Sequence, residues 1–140
     1  MPINENGAPV TMRVHLWLEK GNGLCFGLGR AMLLSRIGEH GSLKKAAEEM
    51  SMSYRAAWGK IKKSEETLGI ELIARTSGRK GGYRLTAAGE ALTEKYMAWY
   101  REVETVALGL ARDMLPLPIK SFGVSGEDDT GEAGFPDRLE

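Results

Sequence analysis

The residues best suited to chemistry lie at helical spacing in the middle of the chain. Tyr54, Arg55, Trp58 and Lys62 fall on one side of a helix that we expect from about 54 to 68. An arginine guanidinium donates two parallel hydrogen bonds to a guanine edge, and aromatic rings beside it add apolar and hydrogen-bonding surface. This side of the helix is therefore suited to reading base edges in a major groove about 12 Å wide.

The alternative for the two aromatic residues is a place in the protein core. The same helix already has a separate apolar face, formed by Ala57, Ile61 and Leu68. We therefore expect Tyr54 and Trp58 to be exposed. For Lys62 and its neighbours Lys60 and Lys63, a solvated face and a phosphate-facing role both remain open.

The overall net charge of zero hides a strong asymmetry along the chain. Between Arg30 and Arg84 there are twelve basic and six acidic residues, whereas residues 121–140 hold six acidic residues and one arginine. A basic middle with an acidic tail is compatible with nucleic-acid binding. An ordinarily solvated surface with a solubilising tail would have the same composition.

Enzyme chemistry finds little support in the residue types. Cys25 is the single cysteine, and His15 and His40 lie 25 positions apart, so we expect no metal site and no cofactor. No Ser-His-Asp arrangement is present, and the acidic pairs Glu48-Glu49 and Glu65-Glu66 have the spacing of solvated helix faces. No apolar run approaches the ~18–20 residues that span a bilayer, and the N-terminus lacks a secretory signal. We therefore expect a cytoplasmic protein that is not an enzyme.

A short helix and a three-residue break come before the 54–68 helix and would position it. Ser42 is a good N-cap for a helix from Leu43 to Met50, and Ser53 caps the next helix after the break Ser51-Met52-Ser53. Close crossing of the two helices requires small side chains, and these are Ala46, Ala47 and Ala57. Ser42 and Ser53, each at a helix N-terminus, are candidates for phosphate contacts.

A hairpin with a basic loop follows the second helix. The runs 71–75 and 83–85 have strand composition, and the loop between them is rich in glycine, with Arg79 and Lys80 at its tip. A glycine-rich basic loop can cradle a phosphate, but this loop joins two strands and lacks the Walker spacing, so a wing fits it better. We expect a wing whose cations reach the DNA backbone or minor groove, namely Arg75, Arg79, Lys80 and Arg84. A solvated turn is the alternative.

A long helix from about 87 to 115 carries an apolar seam with heptad-type steps. Its members are Leu92, Tyr96, Trp99, Val103, Val106 and Leu110. A helix of about 28 residues is ~42 Å long, which exceeds what a small winged domain can cover. We therefore expect the seam to pair with the same helix of a second chain, although packing on its own domain is the alternative.

These elements predict a mainly α fold with a small β component, a winged helix-turn-helix. Met12 to Leu18 alternates and predicts an N-terminal strand with Val14, Leu16 and Leu18 on its buried side, and residues 24–26 are a candidate return strand. The predicted organisation has four parts. They are a flexible lead-in (1–11), a DNA-binding domain (12–86), a dimerisation helix (87–115) and an acidic, disordered tail rich in Gly and Pro (116–140).

The run GSLKKAAEEMSMSYRAAW, from Gly41 to Trp58, resembles the N-terminal domain of ModE-type molybdate-responsive transcriptional regulators. Arg75-Thr76, Gly78-x-Lys80-Gly81-Gly82 and Leu85-Thr86-x-x-Gly89 resemble it too, and the likeness covers roughly residues 12–114. The segment Ser-Tyr-Arg-x-Ala-Trp separates this family from the LysR-type regulators, which share the helix-turn-helix and the wing exit. The resemblance implies a winged-helix regulator that dimerises through its long helix. It places DNA contact on Ser53, Tyr54, Arg55, Trp58 and the wing.

One departure from that family concerns its effector. Full-length members sense molybdate through C-terminal oxyanion-binding domains, whereas this sequence ends about 25 residues after the long helix, in an acidic tail. We therefore do not expect this chain to bind molybdate. The expected function is sequence-specific binding of double-stranded DNA by a homodimer. A winged-helix protein-interaction module is the alternative, and the basic residues of the recognition face and wing argue against it.

Overall fold

The computed structural model describes residues 9–21, 23–78 and 82–123, and the predicted fold class is confirmed. Four helices dominate, and the strands of the described part form three two-stranded sheets. In chain order the elements are β1 (Val10–Met12), β2 (Trp17–Lys20), β3 (Gly23–Gly27), α1 (Leu28–His40), α2 (Leu43–Glu49), α3 (Tyr54–Leu68), β4 (Ile73–Arg75), β5 (Tyr83–Leu85), α4 (Ala87–Met114) and β6 (Ile119–Ser121).

Helix α1 is the centre of the core. It packs against α2, α4 and β5, and its residues Leu33, Leu34 and Ile37 are fully buried. Arg30 is buried as well, and its Nη1 donates a 3.1 Å hydrogen bond to the carbonyl oxygen of Leu24. This arginine therefore contributes to the positive charge of the sequence without being exposed for contact with a partner.

The helix-turn-helix is built as its small residues and caps predict. Ala46, Ala47 and Ala57 are completely buried where α2 meets α3. The Oγ of Ser53 accepts a 3.0 Å hydrogen bond from the amide of Ala56 at the start of α3. The turn places Ser51 in the left-handed region with φ of 57°, and the amide of Met52 returns to the carbonyl of Ala47. The crossing fixes which side of α3 faces outward.

The base of the wing is fixed against the start of α4. Thr86 caps α4 by accepting from the amide of Gly89 at 2.9 Å, and its own hydroxyl donates to the carbonyl of Glu71. The amide of Thr86 donates to the carbonyl of Leu72. A Cβ on Gly89 would overlap that carbonyl oxygen, so only glycine permits this approach. The strands β4 and β5 therefore leave the core from a rigid base.

The predicted strand from Met12 to Leu18 is wrong over most of its length. Residues 13–16 have no regular structure, and β2 begins at Trp17 and pairs with β3 as an antiparallel hairpin. Val14 and Leu16 do pack against the core, but Leu18 is exposed. The pairing register shifts between Leu18 and Glu19, so the alternation of sides does not continue through the strand.

The two ends of the described chain pair with each other as strands. The sequence analysis predicted no strand in the lead-in (1–11) or in the tail (116–140). Strand β1 runs parallel to β6, with Val10 opposite Ile119. The Nε of Arg112 donates to the carbonyl of Ile119, and the Oγ of Ser121 lies 2.7 Å from a carboxylate oxygen of Glu104. Residues 119–121 are therefore ordered rather than part of a disordered tail. Residues 1–8 and 124–140 lie outside the described residues.

Within the described ranges, no helix combines the length and the apolar character needed to cross a membrane.

Candidate nucleic-acid interface

Helix α3 presents its aromatic and basic side to solvent. Tyr54 is 45% exposed, Trp58 is 36% exposed, and Arg55 between them is exposed as well. The opposite side is buried through Ala57 and Ile61. The core alternative for the two aromatic residues is therefore excluded, and the exposed face predicted from the spacing is present.

The buried side of α3 is also held by a polar contact. The Oγ of Ser64 donates a 2.6 Å hydrogen bond to the carbonyl oxygen of Cys25 in β3, and both residues are buried. Such a bond inside the core is costly to break because the carbonyl would be left without a partner. It fixes the rotation of α3 about its axis, and with it the direction of the exposed face.

The first turn of α3 contacts the wing. Burial raises the pKa of Tyr54, a hydrogen bond with the phenol of Tyr83 raises it further, and the Arg75 guanidinium acts in the opposite direction. That guanidinium also lies over the ring of Tyr83, 5.5 Å from its centroid. Tyr54 of the recognition helix and Arg75 of the wing are therefore parts of one surface.

Lys62 is held by groups of its own helix. Its Nζ lies 4.5 Å from the centroid of the Trp58 ring and 2.9 Å from Oε1 of Glu65. The structure places Lys62 beside Trp58, as the spacing predicted. Its ammonium, however, forms an ion pair with Glu65, a residue that the sequence pattern placed on a solvated face.

Glu65 is the residue of this site that sequence reasoning missed. Its Oε2 accepts hydrogen bonds from the amides of Leu72 and Ile73, at 2.8 and 3.2 Å. Burial opposes ionisation, but the amide bonds and the ammonium of Lys62 outweigh it and lower the pKa of Glu65. The sequence carries no distinct signal for this role, because the amides of Leu72 and Ile73 reach Glu65 only after the chain has turned back at the C-cap Gly69.

The two predicted phosphate-contacting serines are both N-caps. The Oγ of Ser42 accepts from the amide of Lys45 at 3.0 Å, as Ser53 does from Ala56, so each hydroxyl keeps its own proton to donate. Ser42 also forms an isolated bridge with Gly82 at the foot of the wing. Helix N-termini carry a partial positive charge and free amides, which suits them to anions.

The wing contributes exposed cations on its strands. Arg75 in β4 and Arg84 in β5 are exposed, and Ala74 pairs with Arg84 in the ladder. The predicted tip residues Arg79 and Lys80 lie outside the described residues.

A small charged cluster joins α1 to α2 away from this face. Glu39, His40 and Glu49 bring three potential metal-ligand atoms within 4.8 Å of one another. Glu49 is already engaged, with His40 Nε2 at 2.8 Å and Arg36 Nε at 3.2 Å. The hydrogen bond from His40 lowers the pKa of Glu49, burial opposes this, and the charges of His40 and Arg36 lower it further. We interpret the cluster as an ion-pair network that links the two helices.

The predicted seam of α4 divides into two halves. Tyr96 is only 3% exposed and stacks edge-on against Phe26, and Leu92 packs against the core. The chain's own core therefore covers Tyr96, whereas Leu92 packs against that core and is still partly exposed. The second half differs: Trp99, Val106 and Leu110 are exposed and Val103 is partly exposed. A shallow apolar groove runs along Val103, Val106 and Leu110.

The family of the helix-turn-helix follows from comparison with known proteins. The model of the family described as bacterial regulatory helix-turn-helix protein, lysR family, matches residues 28–90. Those residues form a LysR-type helix-turn-helix domain. The match includes α1, α2, α3 and both wing strands, so it coincides with the elements that position the exposed face.

Two curated relatives extend the likeness. The molybdenum-pterin-binding protein MopB of Rhodobacter capsulatus is 38% identical over 78 residues, which are 54% of this chain and 29% of MopB. The molybdenum-pterin-binding protein MopA of the same organism is 32% identical over 109 residues, 76% of this chain and 41% of MopA. The chain is homologous to both over these segments, and it spans less than half the length of either relative. This homology is consistent with the resemblance to ModE-type N-terminal domains.

Two solved structures are similar to part of this chain. The DNA-binding domain of CbnR, in a complex with DNA, is 25% identical and has a TM-score of 0.46, covering 60% of this chain and 90% of that one. ArgP from Mycobacterium tuberculosis is 27% identical with a TM-score of 0.46, covering 61% of this chain and 30% of that one.

Proposed function

We propose that this chain is a sequence-specific transcription regulator that binds double-stranded DNA as a homodimer. The observation that carries the proposal is the exposure of Arg55 between Tyr54 and Trp58 on the second helix of a LysR-type helix-turn-helix. A regulatory domain of this type supports the general role in transcription. As a DNA-binding regulator the chain would act in the cytoplasm.

The recognition step is assigned to the exposed face of α3. In the major groove, the Arg55 guanidinium donates two hydrogen bonds to a guanine edge, which is the commonest specific contact of this kind. Tyr54 and Trp58 pack beside it against base edges or thymine methyl groups. Because Ser64 and the small residues of the crossing fix α3 against the core, this face enters the groove without rearrangement.

Backbone contacts are assigned to the flanking caps and the wing. Ser42 and Ser53 sit at helix N-termini, where hydroxyl and amide donors meet phosphate oxygens. The wing cations neutralise phosphates or enter the minor groove, and they are Arg75, Arg79, Lys80 and Arg84. Contacts of this kind set register and affinity, whereas the Arg55 contact sets sequence.

The dimer is assigned to the second half of the α4 seam. Val106 and Leu110 are each 54% exposed, and Trp99 precedes them on the same stripe. A contiguous apolar stripe on an otherwise solvated helix is typical of a protein interface. Pairing of this stripe with its copy would present two recognition helices to one DNA face, as a palindrome with half-sites ~34–36 Å apart requires.

The names of MopA and MopB refer to molybdenum-pterin binding by those proteins. The helix-turn-helix face described here is proposed for DNA alone, since its donors and its aromatic side chains suit base edges and phosphates.

The test is a selection of bound duplexes from a random DNA pool at about 50 and 200 mM salt. A palindromic sequence that is still enriched at the higher salt is the expected result. Loss of ~10³–10⁵ in affinity without an enriched sequence would reduce the function to backbone binding. Absence of binding at both salt concentrations would contradict the proposal and favour a protein-interaction module.

A further inference from the structure

A single carboxylate connects the recognition helix to the base of the wing. Glu65 belongs to α3, yet its Oε2 accepts from the backbone amides of Leu72 and Ile73, which begin the wing. Hydrogen bonds to an ionised acceptor are roughly twice as strong as neutral ones. The side chain is only 10% exposed, so water competes little for these bonds.

Leu72 is held from the opposite side as well. The carbonyl oxygen of Leu72 accepts a hydrogen bond from the amide of Thr86. The same carbonyl lies directly against Gly89 at the start of α4. The peptide that begins the wing is therefore fixed between the carboxylate of α3 and the N-terminus of α4. Since Arg75 follows Leu72 by three residues in an extended strand, the position of this peptide sets where the wing cations lie relative to α3.

The other oxygen of the same carboxylate acts on the exposed face. Oε1 of Glu65 holds the ammonium of Lys62 at 2.9 Å, and this ammonium lies over the ring of Trp58. A cation over the face of a tryptophan ring is attracted by the ring quadrupole, most strongly where both are partly desolvated. The carboxylate therefore holds the ammonium of Lys62 beside the ring of Trp58.

We propose that Glu65 is a positioning residue for sequence discrimination, one that sets the wing and the Trp58 ring in a fixed relation and keeps Lys62 off the DNA phosphates. This inference rests on the proposed DNA-binding function and deepens it. Glu65 itself touches no DNA. It acts through Leu72, Ile73 and Lys62.

The Glu65→Gln variant is expected to change two properties in opposite directions. The neutral glutamine side chain binds the backbone amides of the wing and the ammonium of Lys62 more weakly than the carboxylate does. The preference for the selected sequence over random DNA therefore falls by about tenfold, which is the scale of one mismatched base pair. The released ammonium of Lys62 gains a phosphate, so binding to random DNA strengthens and its salt slope steepens by about one. A merely structural role would weaken binding to all DNA alike.

Glu66→Gln is the matched control, because it removes the same charge from the next, exposed position of α3. Both variants are titrated against the selected duplex and against random DNA across a salt series, at a temperature where circular dichroism shows them folded. If Glu65→Gln and Glu66→Gln show the same preference for the selected duplex over random DNA, the inference is overturned while the proposed function stands. Absence of any preference in the unsubstituted protein would instead overturn the proposed function.

Lys62→Met keeps the inference testable if Glu65→Gln does not fold. The inference expects the Met variant to lose preference for the selected sequence while its salt slope stays unchanged, because Lys62 makes no phosphate contact. Lys63→Met, at the neighbouring exposed position, is the control. A slope that falls by about one in Lys62→Met alone would show that Lys62 contacts a phosphate, and would overturn the inference.

Discussion

The phenol of Tyr96 donates a 2.5 Å hydrogen bond to the carbonyl oxygen of Leu16, a residue 80 positions earlier in the chain. One turn later, the phenol of Tyr100 donates to the carbonyl of Val14 at 2.7 Å. The two bonds supply donors to the carbonyls of Leu16 and Val14, which lie in a segment without regular structure. Both tyrosines are buried, so their side of the first half of α4 faces the chain's own core.

Tyr96→Phe is expected to lower the free energy of unfolding by about 1–3 kcal/mol. The substitution keeps the ring against Phe26 but leaves the carbonyl of Leu16 without its donor. Urea unfolding measures the effect. Tyr54→Phe, which removes a phenol from the exposed face, should cost less. A dimer dissociation constant altered by Tyr96→Phe would place this residue at the interface after all.

The same residue predicts a loss of stability in alkali. Burial raises the pKa of Tyr96 above its ordinary value, with a smaller contribution from Tyr100. A raised folded pKa means that the contribution is complete below the unfolded pKa of about 10 and is lost as the pH rises through the folded pKa. Urea unfolding above pH ~10 should therefore show a decline that Tyr96→Phe reduces. An identical decline in both proteins would assign the effect to other groups.

Two glycines of α4 should respond to alanine in opposite ways. A Cβ on Gly89 would meet the carbonyl of Leu72, so Gly89→Ala must displace the wing base, and we expect a loss of about 3 kcal/mol or more. A Cβ on Gly109 meets nothing within 4 Å, and Gly109→Ala should stabilise the helix by about 0.5–1 kcal/mol. Thermal unfolding of the two variants measures both effects. A Gly89→Ala protein as stable as the unsubstituted one would contradict the close approach of Gly89 to the carbonyl of Leu72.

Trp99→Asp is expected to separate the proposed dimer. An aspartate in the centre of an apolar interface would be buried without a partner, which costs far more than the interface gains at that position. Sedimentation velocity over a range of concentrations measures the outcome. Thr105→Asp introduces the same charge at an exposed position off the seam and should leave association unchanged. A Trp99→Asp protein that still sediments as a dimer would move the interface elsewhere.

The elements that the sequence predicts well are those decided within a few residues. Ser42, Ser53 and Thr86 each cap a helix by accepting from an amide three positions ahead, so composition and order suffice to find them. The heptad stripe of α4 is also local, but periodicity does not say which surface covers it. Tyr96 has its partner 80 residues away, and only the fold brings Leu16 to it.

The features that the sequence analysis missed depend on distant or returning segments. Strand β1 pairs with β6, from the opposite end of the described chain, and neither strand is long enough to be predicted alone. Glu65 has the sequence context of a solvated acid, and its role depends on amides that return to α3 after Gly69. Charge counts also mislead where an arginine is buried, as Arg30 is.

Arg55→Ala is expected to cost about 1–3 kcal/mol of binding free energy on the selected sequence and to relax specificity at one base position. Competition titrations with all four bases at each position of the site give both quantities. Lys95→Ala removes one exposed positive charge from α4 and should leave the base preferences unchanged. An equal loss on every sequence would show that Arg55 contacts only the DNA backbone.

Replacing Arg79 and Lys80 together by alanine should weaken binding to all sequences. If both side chains neutralise phosphates, the slope of log affinity against log salt falls by about one for each phosphate that is no longer neutralised, because fewer counterions are released. Base preferences should persist, since the discrimination is assigned to α3. The matched control removes two exposed cations from α4, Lys95 and Arg101, and should leave the slope as it is. A slope unchanged by these substitutions would remove the tip of the wing from the interface and leave Arg75 and Arg84 as the only contacts proposed for the wing.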